Sequence, residues 1–97
     1  MRVIIHADAK KELADAVEFY ESRVPGLGVE FFDLAIEAVQ AIGRQPKRYG
    51  VGVSGTRRFP MGRFPYTIPF LETADAIWIL AFAHSSRRPG YWKNRKP

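Results

Sequence analysis

The chain has 97 residues, 46% of them apolar and 26% charged, with a formal charge of +5. That length suffices for one core and not for two, so a single globular domain spanning residues 1–97 is expected. The absence of cysteine excludes a disulfide framework and a thiolate nucleophile, and two histidines are too few for a structural zinc site, so neither a metal nor a cofactor is expected.

Val3-Ile4-Ile5 is a short β-branched run that closes at His6, and Asp8 is placed to cap a helix starting just after it. In that helix Leu13, Val17, Tyr20 and Val24 form an apolar stripe, while Lys10, Lys11, Glu12, Asp15, Glu18 and Glu21 fill the wet face. Pro25-Gly26-Leu27-Gly28 stops the helix and turns the chain. Phe32, Ala35, Ile36, Val39 and Ile42 then follow at helical spacing as far as Gly43, with Pro46 beyond, so the two helices form a hairpin. The stretch Gly50 to Gly55 is too rich in glycine for a helix and reads as a loop or the approach to a strand.

Three strands follow, Arg57-Arg58-Phe59, Tyr66 to Leu71 and Ala76 to Ala83, the last two joined tightly through Glu72-Thr73-Ala74-Asp75. Pro69 cannot donate to a ladder, which demands an edge, a bulge or a break at that point. Ile77-Trp78-Ile79-Leu80-Ala81-Phe82 is apolar at every position, as befits a central strand covered by the hairpin on at least one face. The expected fold is α+β in the order β-α-α-β-β-β, an antiparallel sheet packed by an N-terminal helical hairpin. The apolar run Ala76 to Ala83 falls far short of the roughly 20 residues that span a bilayer. The first residues read as a strand followed by charges rather than as a signal peptide, so a cytoplasmic protein without membrane contact is expected.

Charge divides the chain. Residues 1–37 carry four basic and eight acidic side chains, a formal −4, and residues 38–97 carry eleven basic and two acidic, a formal +9. Such asymmetry draws acidic peptides or polyanions to one surface. Its densest part is Arg87-Arg88-Pro89-Gly90-Tyr91-Trp92-Lys93-Asn94-Arg95-Lys96, where cations and aromatics alternate, suited to pairing with phosphate or carboxylate while stacking on a flat partner. In a meander, Arg57 or Arg63 can approach Arg87 and Arg88, and cations held together want an anion between them. His84, next to Ser85-Ser86-Arg87-Arg88, is open to a general-base reading. The simpler reading is a strand-end residue bonded to backbone, since no carboxylate lies near it in sequence to orient it. His6 reads as a boundary residue. Asp8, Glu12, Asp15 and Glu18 read as solvation of the exposed helix face.

Taken in order, several segments resemble the RelE/ParE superfamily of toxins from bacterial type II toxin–antitoxin pairs, also called plasmid stabilisation proteins. They are Glu12-Leu13 and Glu18-Phe19-Tyr20-Glu21, Pro25-Gly26-Leu27-Gly28 with Phe31-Phe32, Arg57-Arg58-Phe59-Pro60, Arg63-Phe64-Pro65-Tyr66, Ile77 to His84, and Arg87-Arg88-Pro89-Gly90-Tyr91-Trp92. The resemblance implies a cytoplasmic toxin assembled with a cognate antitoxin as a hetero-oligomer. Two targets are known within the superfamily. RelE-like members cut mRNA in the ribosome, which here would make Arg63, Arg87, Arg88 and Tyr91 the catalytic set. ParE-like members block DNA gyrase, which here would make Arg87, Arg88, Tyr91, Trp92, Lys93 and Arg95 the target-binding set. Arg-Phe-Pro-Tyr at Arg63 and the Pro-Gly-Tyr-Trp ending look closer to the ParE branch. A third reading is a module that has lost toxicity and still binds an antitoxin. On the toxin readings, the antitoxin is expected to bring an acidic and apolar segment to the basic half.

Overall fold

A computed structural model describes residues 2–97. Strand β1 (Arg2–Ile5) leads into helix α1 (Ala7–Arg23), then helix α2 (Leu27–Arg44), a short 3-10 turn at Pro46–Arg48 and another at Val53–Gly55. Strands β2 (Arg57–Pro60), β3 (Tyr66–Glu72), β4 (Ala76–Ile79) and β5 (Ala83–His84) complete the chain's regular structure. The sheet order is β1-β4-β3-β2, with β5 beside β3. The α+β class and the helical hairpin are those expected from the sequence, and so is the order of elements, save that the last expected strand is divided into β4 and β5. One strand differs in direction: β1 pairs parallel to β4, Val3 opposite Ile77 and Ile5 opposite Ile79, so the sheet is mixed. A parallel neighbour needs a long crossover, and here the two helices and the remaining strands supply it. Among the described residues no helix is long and apolar enough to cross a membrane.

Local chemistry sets the boundaries. The N-cap of α1 is His6, not Asp8: His6 is extended, its N–H donates to the Ile79 carbonyl, and its Nδ1 accepts the Asp8 N–H at 3.0 Å. His6 is therefore the residue half in the strand and half in the helix, and an imidazole nitrogen takes the part usually played by a carboxylate or hydroxyl. Between the helices Gly26 stands at φ +90°, a region that costs other residues strain. The Glu21 carboxylate, near the end of α1, accepts the N–H groups of Gly26 at 2.8 Å and Gly28 at 2.9 Å. The Gly26 bond is the main reason its pKa lies below the ordinary glutamate value, with Gly28 and Val29 adding to it against desolvation.

Gly28 also lets α2 lie directly against α1. A Cβ there would press on the Val17 carbonyl oxygen and lie 2.7 Å from the Glu21 Cβ. Alanine would gain about 1 kcal/mol of helix propensity over glycine, but overpacking typically costs about 1–3 kcal/mol, and a backbone oxygen moves only if its helix does. Gly28→Ala is therefore expected to lower the thermal midpoint. An unchanged or raised midpoint would show that the hairpin yields at no cost.

The principal core lies between the hairpin and one face of the sheet, with Leu13, Phe31, Ala35, Ala38 and Ile42 against Ile68, Phe70, Ile77 and Ile79. Phe31 sits at its aromatic centre, 5.3 Å from Tyr20, 5.0 Å from Phe64 and 4.9 Å from Tyr66 between ring centroids. The second helix is thus rotated from the expected register. Its buried line is Phe31, Ala35, Ala38 and Ile42, and Phe32 is 44% exposed. Val24, assigned to the apolar stripe of α1, is likewise exposed because it ends that helix.

The opposite face of the sheet has a smaller core of Leu80, Ala81 and Trp92, joined by Leu71, Trp78, Ala83 and Tyr91. This explains why Ile77 to Phe82 is apolar without alternation: the hairpin covers one face and the C-terminal segment the other. Pro69 marks the break that its missing donor requires. In an extended strand a residue's N–H and C=O point to the same neighbour, and the Pro69 carbonyl accepts from Leu80 on the β4 side. With no N–H to offer on that side, the run expected as one strand from Ala76 to Ala83 divides into β4 and β5 across Leu80-Ala81-Phe82.

Candidate functional site

The gap between β4 and β5 frees main-chain groups, and Glu12 reaches into it from α1. Its carboxylate accepts the Phe82 N–H at 3.1 Å and the Tyr91 hydroxyl at 2.6 Å, and takes both terminal nitrogens of Arg95 at 2.9 Å each. Arg95 also donates to the Leu80 carbonyl at 2.8 Å, so both ends of the gap are satisfied. Glu12, read from sequence as a solvated helix residue, instead ties the helical layer, the divided strand and the C-terminal segment together. Both side chains are only 16% exposed, and the Glu12 bond is the main reason the Arg95 guanidinium holds its proton even more tightly than usual. Burial, followed by the bond to Glu12, pushes the Tyr91 phenol up.

This clamp sets the pose of the residues after β5. The Arg87 guanidinium lies 3.9 Å from the centroid of the Tyr91 ring, stacked on a phenol that Glu12 holds in place. The turn carrying Arg87 and Arg88 is fixed by backbone bonds from Ser85 N–H to the Pro65 carbonyl and from Arg87 N–H to the His84 carbonyl. His84 adds a third constraint, its Nδ1 accepting the Ser86 N–H at 3.0 Å and lying 2.8 Å from the Ser86 hydroxyl. That is the strand-end arrangement. Glu12 and Asp15 nevertheless line the same cleft as His84, a proximity invisible in sequence.

A groove of about 430 Å³ runs between this turn and the Gly50–Thr56 loop, with Thr67 and Ala83 in its lining. Arg58, Arg87 and Arg88 line it, and none of the three takes part in an ion pair among the described residues. The strand cation that joins Arg87 and Arg88 is therefore Arg58, where Arg57 or Arg63 was expected. Arg57 shares the core face with Phe59 and donates to the Tyr49 carbonyl at 2.7 Å. Arg63 pairs with Glu30 through two contacts, at 3.0 and 3.2 Å, and does not line the groove. Period-two alternation holds the missed signal: with Phe59 inward, Arg58 must lie on the opposite face.

The other tail candidates divide by burial. Arg88 and Lys93 are exposed, whereas Trp92 is 8% exposed within the second core and Arg95 is committed to Glu12. Trp92 thus offers no free stacking face, and removal of the residues after Ser86 would uncover Leu80 and Ala81 rather than trim a loose tail. Among the described residues no cluster of three or more His, Asp or Glu side chains is placed to hold a metal ion.

Comparison with known proteins identifies the family and the fold. The family model described as "ParE toxin of type II toxin-antitoxin system, parDE" matches residues 3–89. A solved structure of the chromosomal ParDE toxin–antitoxin system from P. aeruginosa has the same fold, with a TM-score of 0.77 at 21% identity, covering 87% of this chain and 95% of that one. No curated protein matches. With its family model matched from the first strand to the arginine turn, the chain belongs to the ParE toxin family of type II toxin–antitoxin systems.

Proposed function

We infer that this toxin arrests growth by binding a component of DNA replication such as DNA gyrase, and that a cognate antitoxin neutralises it in a hetero-oligomer. The observation that supports binding over RNA cleavage is where the candidate catalytic groups are committed. Cleavage of a phosphodiester at the ribosome needs guanidinium groups and an acid–base group converging on one phosphate. Arg63 is held by Glu30, and the Tyr91 hydroxyl is given to Glu12 beneath Arg87. Tyr66, beside His84 at a ring-centroid distance of 5.1 Å, is pushed up to about 12 by burial and then by Tyr20, a poor base at neutral pH. What stays open to a partner is a set of unpaired cations on a preorganised turn, suited to contact rather than to proton transfer.

The antitoxin is expected to approach this basic half with an acidic and apolar segment. Pulse labelling after induction tests the target. Thymidine incorporation should fall before methionine incorporation, and purified protein should impair gyrase-dependent supercoiling. Immediate loss of methionine incorporation, with codon-dependent cuts in ribosome-bound mRNA, would transfer the assignment to the ribonuclease reading, with Arg63, Arg87, Arg88 and Tyr91 as its candidate catalytic set.

A further inference from the structure

We propose that Arg58, Arg87 and Arg88 form a clamp for the phosphodiester backbone of a nucleic-acid strand, so that the toxin grips nucleic acid itself. This deepens the reading of the chain as a toxin acting at a DNA target, and its test is independent of gyrase.

Three guanidiniums from an edge strand and a fixed turn face one groove without a carboxylate partner. Cations converge in this way at a cost unless dense negative charge lies between them, and guanidinium forks match phosphate oxygens two at a time. Arg87 is already oriented, since its plane rests on Tyr91 and its turn is pinned by Ser85, Ser86 and His84. Little of the ordering cost therefore falls on binding.

Two further features favour a phosphate chain over an acidic peptide. One route by which an extended peptide gains affinity, addition to a free sheet edge, is closed at the start of β2, where the outer side already carries the Val51–Arg57 bridge, reinforced by Gly52 N–H to the Thr56 carbonyl. Tyr91 and Trp92 line the groove but offer little aromatic face, since Trp92 is 8% exposed and Arg87 covers the Tyr91 ring. Bases therefore have little to stack on, and contact is with the backbone, whatever the sequence. That chemistry is common to DNA and RNA.

The test is fluorescence anisotropy with the purified full chain and labelled 20-mers: single-stranded DNA of two unrelated sequences, duplex DNA and single-stranded RNA. An acidic peptide of equal charge serves as competitor. Arg58→Gln and Arg88→Gln should each weaken binding about tenfold and reduce the magnitude of the log–log salt slope by about 0.7 to 0.9. Arg48→Gln, which removes the same charge from an exposed position outside the groove, should change affinity less than twofold. Thermal melts confirm that each variant is folded. Equal affinity for the two DNA sequences supports backbone contact, and the DNA and RNA arms identify which strand the clamp prefers. The proposal is overturned if groove variants bind like Arg48→Gln, if affinity follows base sequence, or if the acidic peptide displaces the strand at equimolar concentration. Loss of nucleic-acid binding would leave the gyrase reading standing, and a ribosomal phenotype in cells would leave the clamp standing.

Discussion

Glu12→Ala is expected to destabilise the fold by about 3–5 kcal/mol, because it strands a guanidinium that is largely removed from water. Three partners lose their acceptor at once. Arg95 keeps the Leu80 carbonyl and a 3.7 Å contact with the exposed Asp8 carboxylate, the Tyr91 hydroxyl loses its acceptor, and the Phe82 N–H in the strand gap is orphaned. An exposed ion pair would contribute only about 0–1 kcal/mol, so the size of the loss separates a clamp from a surface contact. For a chain of this length, about 1 kcal/mol corresponds to roughly 4–8 °C in melting temperature. Stability should be read by urea denaturation, with tryptophan emission and trypsin sensitivity reporting on the C-terminal segment. Release of that segment would expose Trp92, shifting emission to the red, and open the Arg87–Arg88 bond to cleavage.

Pairing Glu12→Leu with Arg95→Met should recover part of the loss, since the uncompensated charge disappears, but not all of it. The Phe82 N–H and the Tyr91 hydroxyl still lack a partner, at about 1–3 kcal/mol for each group left unsatisfied when buried. The double-mutant cycle should therefore show strong coupling between residues 12 and 95. If Glu12→Ala costs less than about 1 kcal/mol, below the range for a broken buried pair, the segment is held by Trp92 packing alone.

The clamp also shows which parts of the molecule could be read in the sequence. Elements with strong periodicity or punctuation were legible: the two helices, the turn at Pro25 to Gly28, the strands, and the break forced by Pro69. Helix rotation was less so, because Phe31 and Phe32 are adjacent and identical in chemistry, and the choice between them depends on the facing Tyr20, Phe64 and Tyr66. The role of Glu12 was hidden because its partners lie 70 to 83 residues away and a lone carboxylate among charged neighbours has no local mark of burial. Trp92 and Arg95 carried the same ambiguity. Their aromatic and cationic character fits an exposed contact surface, yet the uncovered second face of β4 needed an apolar roof, and the C-terminal segment is what the chain supplies. In the site, Arg87 and Arg88 were legible as a cationic turn after a strand, while their companion Arg58 follows only from strict alternation against Phe59.

The rotation of α2 leads to the last prediction, a contrast between neighbouring phenylalanines. Phe31→Ala should destabilise the fold by about 3–5 kcal/mol, the range for emptying a fully buried aromatic site. Its ring is completely inaccessible and meets three other rings, so removal leaves a cavity that Tyr20, Phe64 and Tyr66 cannot close without breaking their own contacts. Phe32→Ala, one residue further on and 44% exposed, should change stability by less than about 0.5 kcal/mol, as surface substitutions usually do. Chemical denaturation of the two variants side by side measures the difference directly. Similar losses at both positions would mean that α2 is not rotated as described. A larger loss at Phe32 would restore the register in which Phe32, Ala35, Ile36 and Val39 form the inner face, and with it a different packing of the hairpin on the sheet.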